Sequence, residues 1–286
     1  METYRAGSWD IEVFHGNYMK TDELSALGAR LGIKIPDIVT KSYVCFKNSE
    51  SKVAYRIDPE GALNMCSLSL RMQKLQTEGE LYYDHINVIP EPVRVHHSGS
   101  WANKTLPKDS LFNEADSLQI QAKEFDPGCD WTYSSPYKGE LLQIDLSPQI
   151  DLKFRETNEN IPLEMLGVDN PILWSTDILL YEDELNDNGH SRFNFRIRCM
   201  EDCFFALIRS YLRVDHVIVR IIDTQIFHKF SERKILREFQ LKEADFDALR
   251  SSGFDISPQW LIDPYQSDIV YQFLPLKFSF KDYLEY

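Results

Sequence analysis

The residues best suited to chemistry lie in one short acidic stretch. Glu182, Asp183 and Glu184 are consecutive, and Asp187 and His190 follow closely. Carboxylates beside a histidine can transfer protons or bind a divalent metal, which would suit a metal-dependent hydrolase using Glu182, Asp183 and His190. Charge runs also form ordinary solvated hairpin tips. The residue types alone leave both interpretations open.

Other patterns of metal ligands are incomplete. Counting from Glu184, the twelfth position of a calcium-binding loop should be a bidentate glutamate, but Phe195 stands there. Cys199 and Cys203 are close in sequence but lack the further ligands that zinc requires. We interpret these two cysteines as small buried hydrophobic residues. We therefore expect no metal and no cofactor.

A second candidate site is aromatic. The segment Asp130–Gly139 carries Trp131, Tyr133 and Tyr137 around a Ser-Ser-Pro turn, and Lys138 follows. Aromatic residues of this kind either fill a core or form an exposed edge that anchors a partner. The sequence does not separate these two alternatives.

The acidic stretch must be positioned by the elements on either side of it. Ile178–Leu185 is largely apolar before its acidic end, and Ser191–Met200 alternates between apolar and polar or basic residues. This alternation predicts a half-buried strand. The intervening Asp-Asn-Gly sequence predicts a tight turn, so we expect an antiparallel hairpin.

Two apolar elements follow this hairpin. Cys203–Arg213 has apolar residues at helical spacing and predicts a helix. Val217–Ile222 is apolar on both faces and predicts an interior strand, which Asp223 and Thr224 should end. Within this element we expect Arg220 and Asp223 to form a structural ion pair.

The remaining pattern consists mainly of strands joined by hairpins. The pattern of Lys242–Arg250 predicts a further helix. The N-terminal part is predicted to contain a strand at Trp9–Phe14, a helix after Thr21, a hairpin of Ser42–Phe46 with Lys52–Ile57, and a helix starting at Asp58. This arrangement predicts an α+β fold. We expect antiparallel β-sheets packed in two layers with flanking helices, in a single compact domain of residues 1–286. The weakly periodic residues 98–127 predict a flexible loop.

Composition narrows the classes of function. The net charge is -14, and no long Lys/Arg run is present, so we expect neither nucleic-acid nor membrane binding. The N-terminus lacks the apolar region of a secretory signal. The five cysteines are mostly scattered, which indicates reduced thiols. We expect a monomer located in the cytoplasm and also in the nucleus.

Several sequence blocks resemble the TIPRL family, the TOR signalling pathway regulators. The blocks are Asp130–Tyr133, Tyr137–Gly139, Leu179–Gly189, Arg196–Arg198, Phe204–Arg213, Ile221–Thr224, His228 and Leu236–Glu238. They recur in order and are densest between Asp130 and Phe239. The Glu182–Glu184 block of the family is intact.

This resemblance implies a non-catalytic regulator with an α+β fold. Members of the family bind catalytic subunits of type 2A-like serine/threonine phosphatases, or the alpha-four-type regulatory partner of these subunits, in TOR nutrient signalling. We expect the acidic hairpin and the aromatic segment to form one partner surface. Its candidate residues are Asp130, Trp131, Tyr133, Tyr137, Lys138, Glu182, Asp183, Glu184 and Asp223.

Overall fold

Two antiparallel β-sheets organise the chain in the computed structural model. The structure describes residues 1–66, 133–143, 152–167, 169–185, 189–254 and 264–286. The predicted flexible loop at 98–127 lies outside the described residues, as do Asp130 and Trp131. The extent of the domain over residues 1–286 therefore stays a prediction.

The strands and helices of the described residues have the following bounds. The strands are β1 (Glu2–Ala6), β2 (Trp9–Phe14), β3 (Ile38–Val39), β4 (Tyr43–Asn48), β5 (Val53–Ile57), β6 (Glu140–Gln143), β7 (Arg155–Glu156), β8 (Trp174–Asp183), β9 (Gly189–Cys199), β10 (Cys203–Val214), β11 (Ile218–Lys229), β12 (Lys234–Asp245) and β13 (Leu276–Glu285). The helices are α1 (Thr21–Leu31), α2 (59–66 in its described part), α3 (Phe246–Ser251) and α4 (Pro264–Phe273), with a 3₁₀ turn at Leu163–Leu166.

The sheets differ in size. The smaller sheet has the order β1-β2-β4-β5-β6, and the larger has the order β3-β8-β9-β10-β11-β12-β13-β7. Their inner faces share one apolar core. Phe46 of the smaller sheet lies 6.0 Å from Phe195 and 5.2 Å from Phe204 of the larger sheet, between ring centroids. The predicted two-layer α+β fold is confirmed.

Several local predictions are also confirmed. The hairpin of β8 and β9 forms across the predicted turn, and β4 pairs with β5. The predicted helices begin at Thr21 and after Asp58, whose carboxylate accepts a hydrogen bond from the Gly61 amide at 2.8 Å. In the described part of the chain, no helix combines the length and apolarity needed to cross a membrane.

The helix predicted over Cys203–Arg213 is wrong, because these residues form strand β10. This strand lies between β9 and β11, and almost all its side chains are buried. Phe204 and Ile208 join the core between the sheets, whereas Phe205 and Tyr211 pack on the other face. A strand that is apolar on both faces also places apolar residues at helical spacing.

The predicted break at Asp223 and Thr224 is also wrong, because β11 runs through both residues. Arg220 and Asp223 do not pair with each other. Arg220 binds Glu243 at 2.8 Å, and Asp223 binds Arg209. Residues three positions apart on a strand point to opposite faces, so this pair cannot form.

The helix predicted at Lys242–Arg250 begins later than expected. Strand β12 continues to Asp245, and α3 starts at Phe246. The Asp245 carboxylate accepts a hydrogen bond from the Ala248 amide at 2.9 Å. This side chain caps the helix and so determines where it begins.

A buried histidine joins the two sheets. The Trp9 indole N–H on β2 donates to His228 Nε2 on β11 at 3.0 Å and to the Tyr286 hydroxyl at 3.1 Å. His228 Nδ1 lies 2.9 Å from the Lys234 carbonyl oxygen and therefore carries the proton. Burial lowers the pKa of His228, although the Lys234 hydrogen bond opposes this effect. The folded protein thus favours the neutral ring.

This link predicts a pH-dependent stability. Unfolded histidine gains a proton near pH 6.5, whereas folded His228 resists protonation. The contribution of His228 is therefore present above about pH 6.5 and is lost as the pH falls below it. We expect His228→Gln to reduce this pH dependence between pH 7.5 and 5.5, measured by urea unfolding. Because Trp9 loses the His228 ring and keeps only the Tyr286 hydroxyl as acceptor, the variant should also lose about 1 kcal/mol at pH 7.5. Equal pH slopes in the two proteins would contradict the prediction.

Candidate functional site

The acidic stretch does not form one patch, because β8 turns successive side chains to opposite faces. Tyr181 points inward, and its hydroxyl donates to the Tyr133 carbonyl at 2.6 Å. Glu182 points the other way and lies 3.0 Å from His190 Nε2 and 3.9 Å from Arg192. The contact with His190 is the main cause that lowers the pKa of Glu182, although partial burial opposes it.

The two following carboxylates have different environments. Asp183 is buried, with 1% of its surface exposed. It accepts hydrogen bonds from the Leu185 amide at 2.6 Å and the Asp37 amide at 2.9 Å. Burial raises the pKa of Asp183. Glu184 is exposed. Asp183 thus fixes the end of β8 to the segment before β3, and Glu184 is the carboxylate of this run that faces solvent.

The geometry does not support the hydrolase alternative. Glu182 and His190 form a pair, but both oxygens of Asp183 are occupied by backbone amides. Among the residues that the structure describes, no group of three or more His, Cys, Asp or Glu side chains is placed to hold a metal. Cys199 and Cys203 are buried in different apolar clusters, in agreement with their interpretation as small hydrophobic residues.

The aromatic segment is internal where the structure describes it. Tyr133 and Tyr137 are only 2% and 6% exposed, so of the two alternatives that the sequence left open, both residues belong to the core and neither contributes an exposed edge to a partner surface. The segment lies between α2 and the larger sheet. The Ser135 hydroxyl donates to the Ala62 carbonyl at 2.7 Å, and the Ser135 amide donates to the Ser210 hydroxyl at 3.1 Å.

The end of this segment meets an open cleft of about 690 Å³. The Tyr137 hydroxyl donates to the Arg56 carbonyl at 3.2 Å, and Glu140 lines the cleft. The lining includes charged residues of both signs: Arg30, Lys41, Arg56, Asp58, Glu60 and Glu140. Arg56 binds Asp58 at 2.7 Å, and Arg30 pairs with Glu60. An open cleft of this polarity suits a polar or charged segment of a protein partner.

The backbone beside the cleft requires glycine. Gly139 has a φ of +89°, and a Cβ atom there would lie 2.4 Å from the Tyr55 ring. The left-handed conformation and the close ring both exclude a larger residue. The chain therefore turns at Gly139 in a defined direction, which fixes Lys138 and Glu140 on either side.

Asp223 is a structural residue in the described protein. It is 1% exposed and forms two hydrogen bonds with the Arg209 guanidinium, both at 2.7 Å. Arg209 also contacts Asp268 of α4 at 2.5 Å, and Asp268 lies 3.5 Å from Arg196. Asp223 therefore orients the arginine that attaches α4 to the sheet, and its side chain does not reach the surface.

Sequence reasoning missed Arg209 and Asp268. Arg209 falls in the stretch predicted as a helix, where its direct cross-strand position opposite Asp223 could not be seen. The available signal was an arginine within a strongly apolar stretch, since a buried charge requires a partner. The contact of Asp268 with Arg209 depends on the position of α4 against the sheet, which the sequence does not reveal.

The fold and these contacts define a two-layer α+β protein of antiparallel sheets with an open polar cleft, a class suited to binding. The sequence model of the TIP41-like family matches residues 38–250. The chain belongs to this family, and the resemblance found in the sequence is confirmed.

Relatives occur in distant eukaryotes. The TIP41-like protein of Dictyostelium discoideum is 40% identical over 153 residues, covering 52% of this chain and 54% of the relative. The Saccharomyces cerevisiae protein named type 2A phosphatase activator TIP41 is 39% identical over 155 residues, covering 51% and 40%. The Schizosaccharomyces pombe protein named type 2A phosphatase activator tip41 is 25% identical over 248 residues, covering 84% and 81%. The match thus spans about half or less of the first two relatives.

The Arg209–Asp223 pair yields a stability prediction. Removing one partner of a buried ion pair leaves the other charge uncompensated. We expect Asp223→Asn to lower the free energy of unfolding by about 3 kcal/mol, measured by urea denaturation. Asp268→Asn is the matched control, because Asp268 is partly solvent-exposed and should cost less than about 1 kcal/mol. Equal losses in the two variants would show that Asp223 is not the principal partner.

Proposed function

We propose that this chain is a non-catalytic regulator that binds the catalytic subunit of type 2A-like serine/threonine phosphatases. The observation that carries the proposal is membership of the TIP41-like family, in which two yeast relatives are named type 2A phosphatase activators. The resemblance adds an alpha-four-type protein as a second partner and TOR nutrient signalling as the setting. These finer assignments are part of the same proposal.

The contacts of the charged residues support binding over catalysis. Glu182 and Asp183 are engaged by His190 and by backbone amides. Asp223 is engaged by Arg209. Carboxylates held in this way stabilise the fold and are not free to act on a substrate.

We place the main partner contact at the cleft that Glu140 lines. The cleft is open, it is lined by charges of both signs, and the buried Tyr137 holds one lining residue, Arg56, through its backbone carbonyl. A residue that is already fixed before a partner binds favours binding, because it loses little conformational entropy on association. Glu184 lies on the acidic hairpin instead, so we treat it as a separate contact.

Charge reversal at the cleft tests this proposal. We expect Glu140→Lys to weaken binding of the purified phosphatase catalytic subunit about tenfold, or about 1.4 kcal/mol, in a calorimetric titration. Glu201→Lys is the control, since Glu201 is an exposed residue outside the cleft and its reversal changes the net charge equally. Thermal unfolding of both variants checks that they remain folded.

The remaining outcomes separate the parts of the proposal. Undiminished binding by a folded Glu140→Lys variant would rule out the cleft, and loss of binding in Glu184→Lys would assign the contact to the acidic hairpin. Absence of binding by the wild-type chain would overturn the phosphatase assignment. The same titration with an alpha-four-type protein tests the second partner.

A further inference from the structure

Strand β8 has one edge that is only partly covered. Along its whole length β8 pairs with β9 on one side. On the other side β3 pairs only with Tyr181 and Glu182, and the Thr40 amide just beyond β3 donates to the Leu180 carbonyl at 2.9 Å. In the described part of the chain, no strand pairs with residues 174–178 on this side. The backbone groups that point outward there are available to a further strand.

This open edge lacks the features that usually protect a sheet edge, which are short strands, lysines, prolines and bulges. Residues 174–178 contain neither lysine nor proline, and the bulge of β8 lies beyond them, between Leu179 and Tyr181. The opposite edge of the same sheet is β7, which is very short and consists of the exposed, charged residues Arg155–Glu156. At about 3.3 Å per residue the open edge is roughly 16 Å long, which is enough for an ordinary strand.

A groove of about 620 Å³ lies beside this edge. Residues 177–179 of β8 line one side of it, and the loop of residues 15–18 after β2 lines the other. The loop is held in place, because the Lys41 amide donates to the Asn17 carbonyl at 2.9 Å. Tyr18 in the loop is 66% exposed. The open edge is therefore one side of a groove with a fixed opposite wall.

The loop favours a single extended chain over a second copy of this protein. A strand added to β8 would lie about 4.8 Å from it, within the groove. If the added strand were β8 of a second copy, the β9 strand of that copy would need the space that residues 15–18 occupy. The groove therefore fits an extended segment of a different protein.

The two faces of β8 define the side chains that this segment should carry. Ile178 belongs to the core between the sheets, and Trp174 packs against that core. The Trp174 ring also stacks on Tyr4 of β1, with 4.8 Å between ring centroids. Because alternate residues of a strand point to the same face, apolar residues at alternate positions of the segment would extend this apolar surface.

The other face of the sheet offers a positive charge for recognition. Arg198 of β9 is half-buried and lies directly opposite Ser175 of β8. Arg196 binds Asp177 at 2.6 Å. Within the described ranges, by contrast, no carboxylate pairs with Arg198. Since Ser175 is small, an acidic side chain beside it on an added strand can reach the Arg198 guanidinium.

We propose that the open edge of β8 binds an extended segment of a partner protein as an additional strand. The segment carries apolar residues at alternate positions and an acidic residue on the face of Arg198. Backbone hydrogen bonds supply affinity in this kind of recognition, and the alternating side chains supply specificity. Of the described residues, Ser42 alone lines both this groove and the cleft that Glu140 lines. The inference does not rest on the proposed phosphatase binding.

A charge exchange between the full chain and a synthetic peptide tests the proposal. The probes are two capped, fluorescein-labelled heptapeptides of alternating valine and threonine, in which the central threonine is replaced by glutamate or by lysine. We expect the wild-type chain to bind the glutamate peptide about fivefold more tightly than the lysine peptide, as for a partly exposed ion pair. Arg198→Glu should reverse this order, measured by fluorescence anisotropy.

Arg155→Glu is the matched control, because it reverses an exposed arginine on the opposite edge of the same sheet. This variant should keep the wild-type order of the two peptides. An unchanged order in a folded Arg198→Glu variant, or no binding of either peptide by the wild-type chain, would overturn the proposal.

Hydrogen exchange of the full chain locates the contact. In the free chain, the amides of residues 174–178 that point away from β9 should exchange quickly, and the glutamate peptide should slow them. The same peptide with its amides N-methylated cannot donate to the edge and should not bind. Slow exchange of these amides in the free chain would show that the edge is already covered. That result, or equal binding of the methylated peptide, would contradict strand addition at β8.

Discussion

Burial of the central strands of the larger sheet forces the arginines on these strands to pair with carboxylates. Three arginines on consecutive strands are buried, and each lies directly opposite a carboxylate on the next strand: Arg209 with Asp223, Arg220 with Glu243, and Arg237 with Asp282. Each pair has hydrogen-bond distances of 2.8 Å or less. A buried charge without such a partner is strongly destabilising. These pairs therefore compensate the buried charges and also restrict the register in which neighbouring strands can pair.

The same constraint explains which parts of the fold could be predicted from sequence. Strand β9 has one half-exposed face, so Phe193, Phe195 and Ile197 alternate with partly exposed polar residues and the period of two is visible. Strand β10 is covered on both faces, and its apolar residues carry no such period. The pairing of Arg209 with Asp223 depends on strands that are adjacent in space, and a local pattern cannot report that adjacency.

The candidate site shows the same limit. The segment around Tyr133 and Tyr137 was found from its aromatic residues, but its burial depends on α2 and on Ser210 of the larger sheet. The run Glu182–Glu184 was found from its charge. Which carboxylate is internal depends on the amides of Asp37 and Leu185, and the first of these is distant in sequence. The residue types thus indicate which segments are of interest, whereas the role of each side chain depends on contacts with residues that are distant in sequence.

Lys138 departs from the pairing of arginines with carboxylates in the larger sheet. The neighbouring pair of Arg237 and Asp282 is complete without it. The Lys138 amine lies instead over the rings of Phe239 and Phe280, 5.3 and 3.8 Å from their centroids. Because the face of an aromatic ring attracts a cation, this contact attaches the segment before β6 to β12 and β13 without a carboxylate. A charge that is buried against the larger sheet is therefore compensated either by an opposite charge on the next strand or by aromatic rings, and both kinds of partner come from elements that are distant in sequence.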